Sequence, residues 1–308
     1  MQASELFNQP NTILLDGGMG TMLQAAGMKL GTRPEDLNLE NPELIRSIHA
    51  KYAAAGSRVV NANTFGASPH KLADSKYTLE EVITAGIANC KQAVAPYGAL
   101  VTLDVGPLGE LLEPSGTLAF EDAVAEYGRI VRAGVAAGAD ILYFETFTDL
   151  YEMKAALLAA KENSTLPIMA SMSFEANGRT FTGCTVESFA ATARGLGANA
   201  VGINCSLGPK EIFPMAKRLA EAVPGDFPVF VKPNAGLPRA DGSGYDITPQ
   251  LFAMEMKPYR ELKLFAAGGC CGTTPDFIRL LNGVFADCRP GRAAHAMPSV
   301  LCSPMDFV

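Results

Sequence analysis

The sequence predicts an α/β protein, a (β/α)8 TIM barrel, on two observations. Eight short apolar runs rich in β-formers recur along the chain, and helix-like segments separate them. Eight such units in 308 residues is the count of that barrel, with an open doubly wound sheet as the alternative topology.

The runs are "ILLDGGM" (Ile13–Met19), "SRVVNANTF" (Ser57–Phe65), "ALVTLDVG" (Ala99–Gly106), "DILYFETF" (Asp140–Phe147), "PIMASMSF" (Pro167–Phe174), "NAVGINCS" (Asn199–Ser206), "PVFVKPNA" (Pro228–Ala235) and "LKLFAAGGCC" (Leu262–Cys271). Most are nearly continuous in apolar residues, as parallel strands covered on both faces must be. The segments "NPELIRSIHAKYAAAG", "FEDAVAEYGRIVRAGVAAG", "TDLYEMKAALLAAKE" and "GPKEIFPMAKRLAEAV" show helical patterning. Several open on an Asn, Asp or Thr cap or a proline in the first turn, and two close on a glycine, Gly56 and Gly138, suited to a left-handed C-cap. "AGLPRADGSGYDITP" after the seventh run reads as a long loop. Residues 1–290 form one barrel on this reading, and 291–308 a tail or linker.

Composition excludes several functions. A net charge of −7, with no Lys/Arg run, argues against a nucleic-acid face. No apolar stretch reaches membrane-spanning length, and "MQASELFNQP" lacks the basic-then-apolar order of a secretory leader, so a cytoplasmic location is expected. The seven cysteines are odd in number and scattered, which fits reduced thiols, metal ligands or core residues better than a disulfide framework.

A barrel carries its chemistry at the C-terminal ends of its strands. Here those ends hold Asp16, Asn63, Thr64, Asp104, Glu145, Thr146, Ser173, Asn204, Cys205, Asn234, Cys270 and Cys271. Each could merely end its strand and cap the next helix. The ring as a whole resists that reading, because its acids would crowd together with no cation to answer them. Cys205 ends the sixth run, and Cys270 and Cys271 end the eighth, one strand apart around a barrel. Gly268, Gly269 and Gly272 would let the backbone bend so that both vicinal sulfurs face one point. Three thiolates suit Zn²⁺ with its fourth position open, although buried cysteines are also common core residues. Cys90, Cys184, Cys288 and Cys302 miss the strand ends and read as packing or surface residues.

Other motifs fail. "DGGMGTML" lacks the third glycine of a dinucleotide fingerprint. Of His49, His70 and His295, only His70 falls where a loop could carry it to the mouth, so no hydrolase triad is expected. Met153, Met254 and Met256 read as packing residues.

"LLDGGMGTMLQ", "NANTFGAS", "DVGPLGELLEPSG", "FETFTDLYEMKAAL", "GINCSLGP", "KPNAGLP" and "GGCCGTTPDFIRLL" together resemble the homocysteine S-methyltransferases, closest to the homocysteine-binding domain of cobalamin-dependent methionine synthase. The resemblance runs from about Ile13 to Leu281. It implies a zinc (β/α)8 barrel with Cys205, Cys270 and Cys271 as metal ligands and the homocysteine sulfur in the open position. It further implies that Asp16, Gly17 and Gly18 lie near the amino acid, that Glu145 meets its ammonium, that Asn234 sits in the substrate turn, and that Asp104 holds the site together or touches substrate. A thiolate would attack an electrophilic methyl group to give methionine.

The donor stays open at this point. A methylcorrinoid (methylcobalamin) on a separate domain or protein is the first expectation. A small sulfonium or betaine, such as S-methylmethionine, is the second, and a non-catalytic zinc- or thiol-binding module the third. The resemblance leaves both an excised domain and a free-standing protein as expectations.

Overall fold

The computed structural model describes residues 2–29, 31–239, 244–293 and 302–306. Its eight strands are β1 (Ile13–Leu14), β2 (Val59–Asn61), β3 (Leu100–Val105), β4 (Ile141–Phe147), β5 (Ile168–Met172), β6 (Ala200–Asn204), β7 (Val229–Lys232) and β8 (Ala266–Ala267). From β2 to β8 each strand pairs in parallel with its successor, and β8 pairs with β1. That order never reverses, so the doubly wound alternative is excluded.

The seam between β1 and β2 closes by other means. Arg58 donates its N–H to the Leu14 carbonyl at 2.7 Å. One turn of the ladder higher, the Asp16 carboxylate accepts the Asn61 N–H at 2.8 Å, where a backbone carbonyl would otherwise serve.

Among the described residues ten α-helices surround the strands: α1 (Met19–Ala25), α2 (Leu37–Glu40), α3 (Pro42–Ala55), α4 (Leu79–Val94), α5 (Phe120–Ala136), α6 (Leu150–Asn163), α7 (Val186–Gly195), α8 (Pro209–Glu221), α9 (Pro249–Met256) and α10 (Pro275–Phe285). Local chemistry sets their ends. Asn41, Thr78, Asp149, Thr185 and Thr248 accept first-turn N–H groups. Gly56 and Gly138 follow α3 and α5 with φ of 115° and 85°, as their C-terminal positions required. Met153 and Met256 are buried, whereas Met254 is exposed.

The core has two parts. The larger fills the layer between strands and helices. The smaller lies inside the barrel, where Leu100, Ile141, Met169 and Phe230 pack with Leu6 of the N-terminal 3-10 helix Ala3–Asn8. Strand alternation does the rest. Leu100, Thr102 and Asp104 share one face of β3; Ile141, Tyr143 and Glu145 share one face of β4; Phe230 and Lys232 share one face of β7. The barrel interior is thus apolar at its floor and polar at its mouth.

Among the described residues no helix is long and apolar enough to cross a membrane. Residues 302–306 lie against the start of α7, where Thr185 donates to the Pro304 carbonyl at 3.2 Å. His295 and residues 240–243 of the long loop lie outside the described residues.

Candidate active site

The three predicted thiols converge. Cys205 follows β6 with φ of 63°, and Ser206 with 62°. Two successive left-handed non-glycine residues are costly and turn the chain sharply. The Cys205 N–H is anchored to the Lys232 carbonyl at 3.1 Å. After β8, the Cys270 N–H bonds the Pro233 carbonyl at 2.8 Å, and the Cys271 N–H bonds Asn234 Oδ1 at 3.1 Å. Gly272 then takes φ of 80°. Of the three glycines expected to bend the loop, only Gly272 uses the left-handed region. Gly269 serves close approach, since a Cβ there would lie 2.4 Å from Thr273 Oγ1.

Cys205 Sγ and Cys271 Sγ are 3.7 Å apart, and all three sulfurs lie within 4.8 Å of one another. Tetrahedral zinc with Zn–S bonds of about 2.3 Å spaces its sulfurs roughly 3.8 Å apart. The donor set and the spacing therefore fit zinc. Electrostatics agree. Hydrogen bonds from Cys205 and then Cys270 hold the Cys271 thiol down at about 3. At Cys205, the hydrogen bond with Cys270 pulls downward, but that with Cys271, together with burial, outweighs it and pushes the thiol up to about 12. Hydrogen bonding to Cys205 and Cys271, with burial, holds Cys270 well above an ordinary thiol. The trio accepts one negative charge readily and resists further ones without a cation to offset them.

Beside the thiols opens a cavity of about 330 Å³, lined by the β1 loop, the thiols and the acids. That is at the small end of small-molecule sites, roughly 300–1,000 Å³. Four carboxyls face it, Asp16, Glu35, Asp104 and Glu145. The cation that the sequence reading did not supply to these acids is Lys232, the last residue of β7. Its Nζ lies 3.1 Å from Asp16 Oδ1 and 3.3 Å from Glu145 Oε2. It also stands 5.3 Å from the centre of the Tyr143 ring. Burial alone would lower this lysine, but Asp16 and then Glu145 outweigh it and hold it well above its usual value. Asp104 is different. Its Oδ1 is buried without a hydrogen-bond partner. Burial first, and then the charge of Glu145, hold its carboxyl well above the ordinary range.

The remaining predicted residues take varied places. Gly17 and Gly18 line the cavity, with the Gly18 N–H given to Thr273 Oγ1 at 3.2 Å. Asn234 lies beneath the thiol loop, outside the cavity lining, and positions Cys271. Asn63 lines the cavity, while Thr64 bonds the Asp104 carbonyl at 2.8 Å. Asn204 ties Thr146, Ser171 and Cys270 together, at 2.7, 2.8 and 3.9 Å. Ser173 donates to the Asn204 carbonyl at 2.7 Å. His70 is exposed and pairs with Glu110 at 3.7 Å, and His49 is buried in α3, so neither reaches the cavity. Cys90, Cys184 and Cys288 are buried and Cys302 exposed.

Sequence reasoning missed Lys232, Glu35 and Tyr245. A lysine inside the apolar run "PVFVKPNA" was the available signal, because a lysine is almost never buried unpaired. Tyr245 sits in a loop, and no periodicity marked it.

The family model described as Homocysteine S-methyltransferase matches residues 13–285. Methionine synthase of Mycobacterium tuberculosis is 31% identical over 92% of this chain, and that of Mycobacterium leprae 30% identical over 94%. The chain spans about a quarter of their length, 26% in each case. Among solved structures, the oxidized form of the homocysteine methyltransferase MmuM from Escherichia coli superposes with a TM-score of 0.78 at 25% identity, covering 91% of this chain and 98% of that one. Its metallated form gives 0.76 at 23% identity, over 90% and 98%.

Proposed function

This chain belongs to the homocysteine S-methyltransferase family, and on that premise we propose that it transfers a methyl group to homocysteine to form methionine. The observation that carries the reading is the convergence of Cys205, Cys270 and Cys271 beside an acid-lined cavity. These thiols would hold Zn²⁺, whose chemistry when bound is to present the acceptor thiol as a thiolate. The chain's own residues bind and orient the rest of the amino acid. Glu145 and Asp104 face its ammonium, and the loop of Asp16, Gly17 and Gly18 lies beside its carboxylate. Asn234 and Asn204 hold the thiol-bearing loops in register through Cys271 and Cys270.

A methylcorrinoid on a separate domain or protein is the donor this reading favours, on the resemblance of the motifs to cobalamin-dependent methionine synthase and the likeness to relatives named methionine synthase. One observation favours a second donor class. The barrel superposes on nearly the whole of the homocysteine methyltransferase MmuM, and a small sulfonium or betaine, such as S-methylmethionine, is the donor of that second reading. The metal requirement tests the core of the proposal. Chelation should remove methionine formation, and about one equivalent of zinc per chain should restore it. Full turnover in metal-free protein would overturn the reading.

A further inference from the structure

Lys232 has no part in the reading above, yet it is the best-connected charge in the mouth. It is 2% exposed and reaches from β7 to Asp16 on one side of the barrel and Glu145 on the other. A buried ion pair is weak evidence of stabilisation, because packed apolar residues often serve as well. Every other residue of β7 is apolar and buried, so an apolar side chain would suit the strand. The lysine is placed for the site.

Its contacts divide the acids into two kinds. Both oxygens of Asp16 are used, one by Lys232 and one by the Asn61 N–H. Glu145 Oε2 is held by Lys232 at 3.3 Å and by Asn61 Nδ2 at 3.5 Å. Asp104 Oδ1 alone of these is buried with no partner. Glu35, the fourth carboxyl of the cavity, takes the Gly66 N–H at 2.7 Å, so one internal ammonium serves two acids and leaves Asp104 Oδ1 without a partner.

We propose that Lys232 is a positioning residue that sets acceptor specificity: it clamps Asp16 and Glu145 and leaves Asp104 as the carboxyl that one incoming ammonium must answer. The inference rests on the acceptor reading given above and deepens it. The site then selects a thiol carrying a single ammonium, and it does so through a carboxylate frame that Lys232 keeps in register across the barrel.

The test compares homocysteine with 4-mercaptobutyrate, the same thiol acid without its amino group, in zinc-loaded protein. In Lys232→Met the KM for homocysteine should rise by about tenfold or more, with kcat changed by less than about threefold. The KM for 4-mercaptobutyrate should move by less than about twofold, because it lacks the group whose seat is disturbed. Lys232→Arg, which keeps the charge but not the compact geometry, should recover part of the homocysteine affinity. An equal shift for both thiols, or none for homocysteine, would overturn the proposal. Should Lys232→Met fail to fold, Lys232→Arg carries the test alone, with a rise of a few-fold confined to homocysteine. Should wild-type protein turn over neither thiol, the functional reading fails separately. Calorimetric binding of the two thiols to wild type and Lys232→Arg then gives the same ratio.

Discussion

Cys271 does most at the scale of single residues. It is fixed from behind by Asn234 and beside by Cys205. Cys271→Ala leaves two sulfurs, too few for a three-thiolate site. Its zinc content after dialysis should fall below about a tenth of wild type, measured by metal analysis, since removing a metal ligand costs at least as much as the 10–100-fold typical of outer-shell changes. Full zinc with full activity would remove it from the ligand set. The thiols were legible in the sequence because a strand end is a known place and a vicinal pair between glycines is rare. Lys232 was legible only as a lysine in an apolar run, not by its partners. Nothing in "PVFVKPNA" says which acids its side chain meets, because Asp16 and Glu145 lie 216 and 87 positions away in sequence.

At the scale of elements, the loops after β6 and β8 hold the chemistry. The sequence marked both strands but overran their paired lengths. The eighth run spans ten residues, whereas β8 pairs only at Ala266 and Ala267. Beyond them Gly268 and Gly269 still bond the Val231 and Asp16 carbonyls at 2.9 Å, in positions too close to Asp16 and Thr273 for a side chain. Helix limits were read more closely, since caps and C-terminal glycines are local signals. Gly272 offers a test of the loop itself. Gly272→Ala combines φ of +80° with a Cβ placed 2.3 Å from Tyr245 Cγ. Thermal unfolding should show a loss of about 1–3 kcal/mol, together with weakened zinc retention. Gly291→Ala, with φ of +96° and nothing within 4 Å, is the control. It should carry the backbone cost without the metal defect. Equal metal retention in the two variants would show that the loop's shape does not hold the thiols.

At the scale of the whole molecule, closure of the barrel was predictable from the count of alternating units. The way it closes was not, because the β1–β2 seam uses the Asp16 side chain in place of a backbone partner. The same carboxylate joins the seam to Lys232, so fold closure and site geometry share one residue. Stability should also carry a pH signature from outside the site. His49 is fully buried with both ring nitrogens unpartnered, and burial lowers it to about 3. An unfolded histidine titrates near about 6.5. Between those values the unfolded chain binds a proton that the folded chain refuses. Stability from this group is therefore complete above about pH 6.5 and is lost as pH falls, by about 1.4 kcal/mol per pH unit. Denaturant unfolding between roughly pH 4 and 6 should show that slope reduced in His49→Leu. An unchanged slope would mean that the histidine is protonated in the fold.

The central claim is that a zinc-loaded thiol trio presents homocysteine for methylation. Its most direct test is a methyl-transfer assay on protein of measured metal content, with homocysteine as acceptor. Methylcobalamin, S-methylmethionine and betaine would be supplied one at a time as donors. The expected result is methionine from methylcobalamin at about one zinc per chain, lost on chelation. Methionine from S-methylmethionine or betaine alone would keep the acceptor site and replace the donor. Zinc at one per chain with no methionine from any donor, and no binding of homocysteine, would contradict the account.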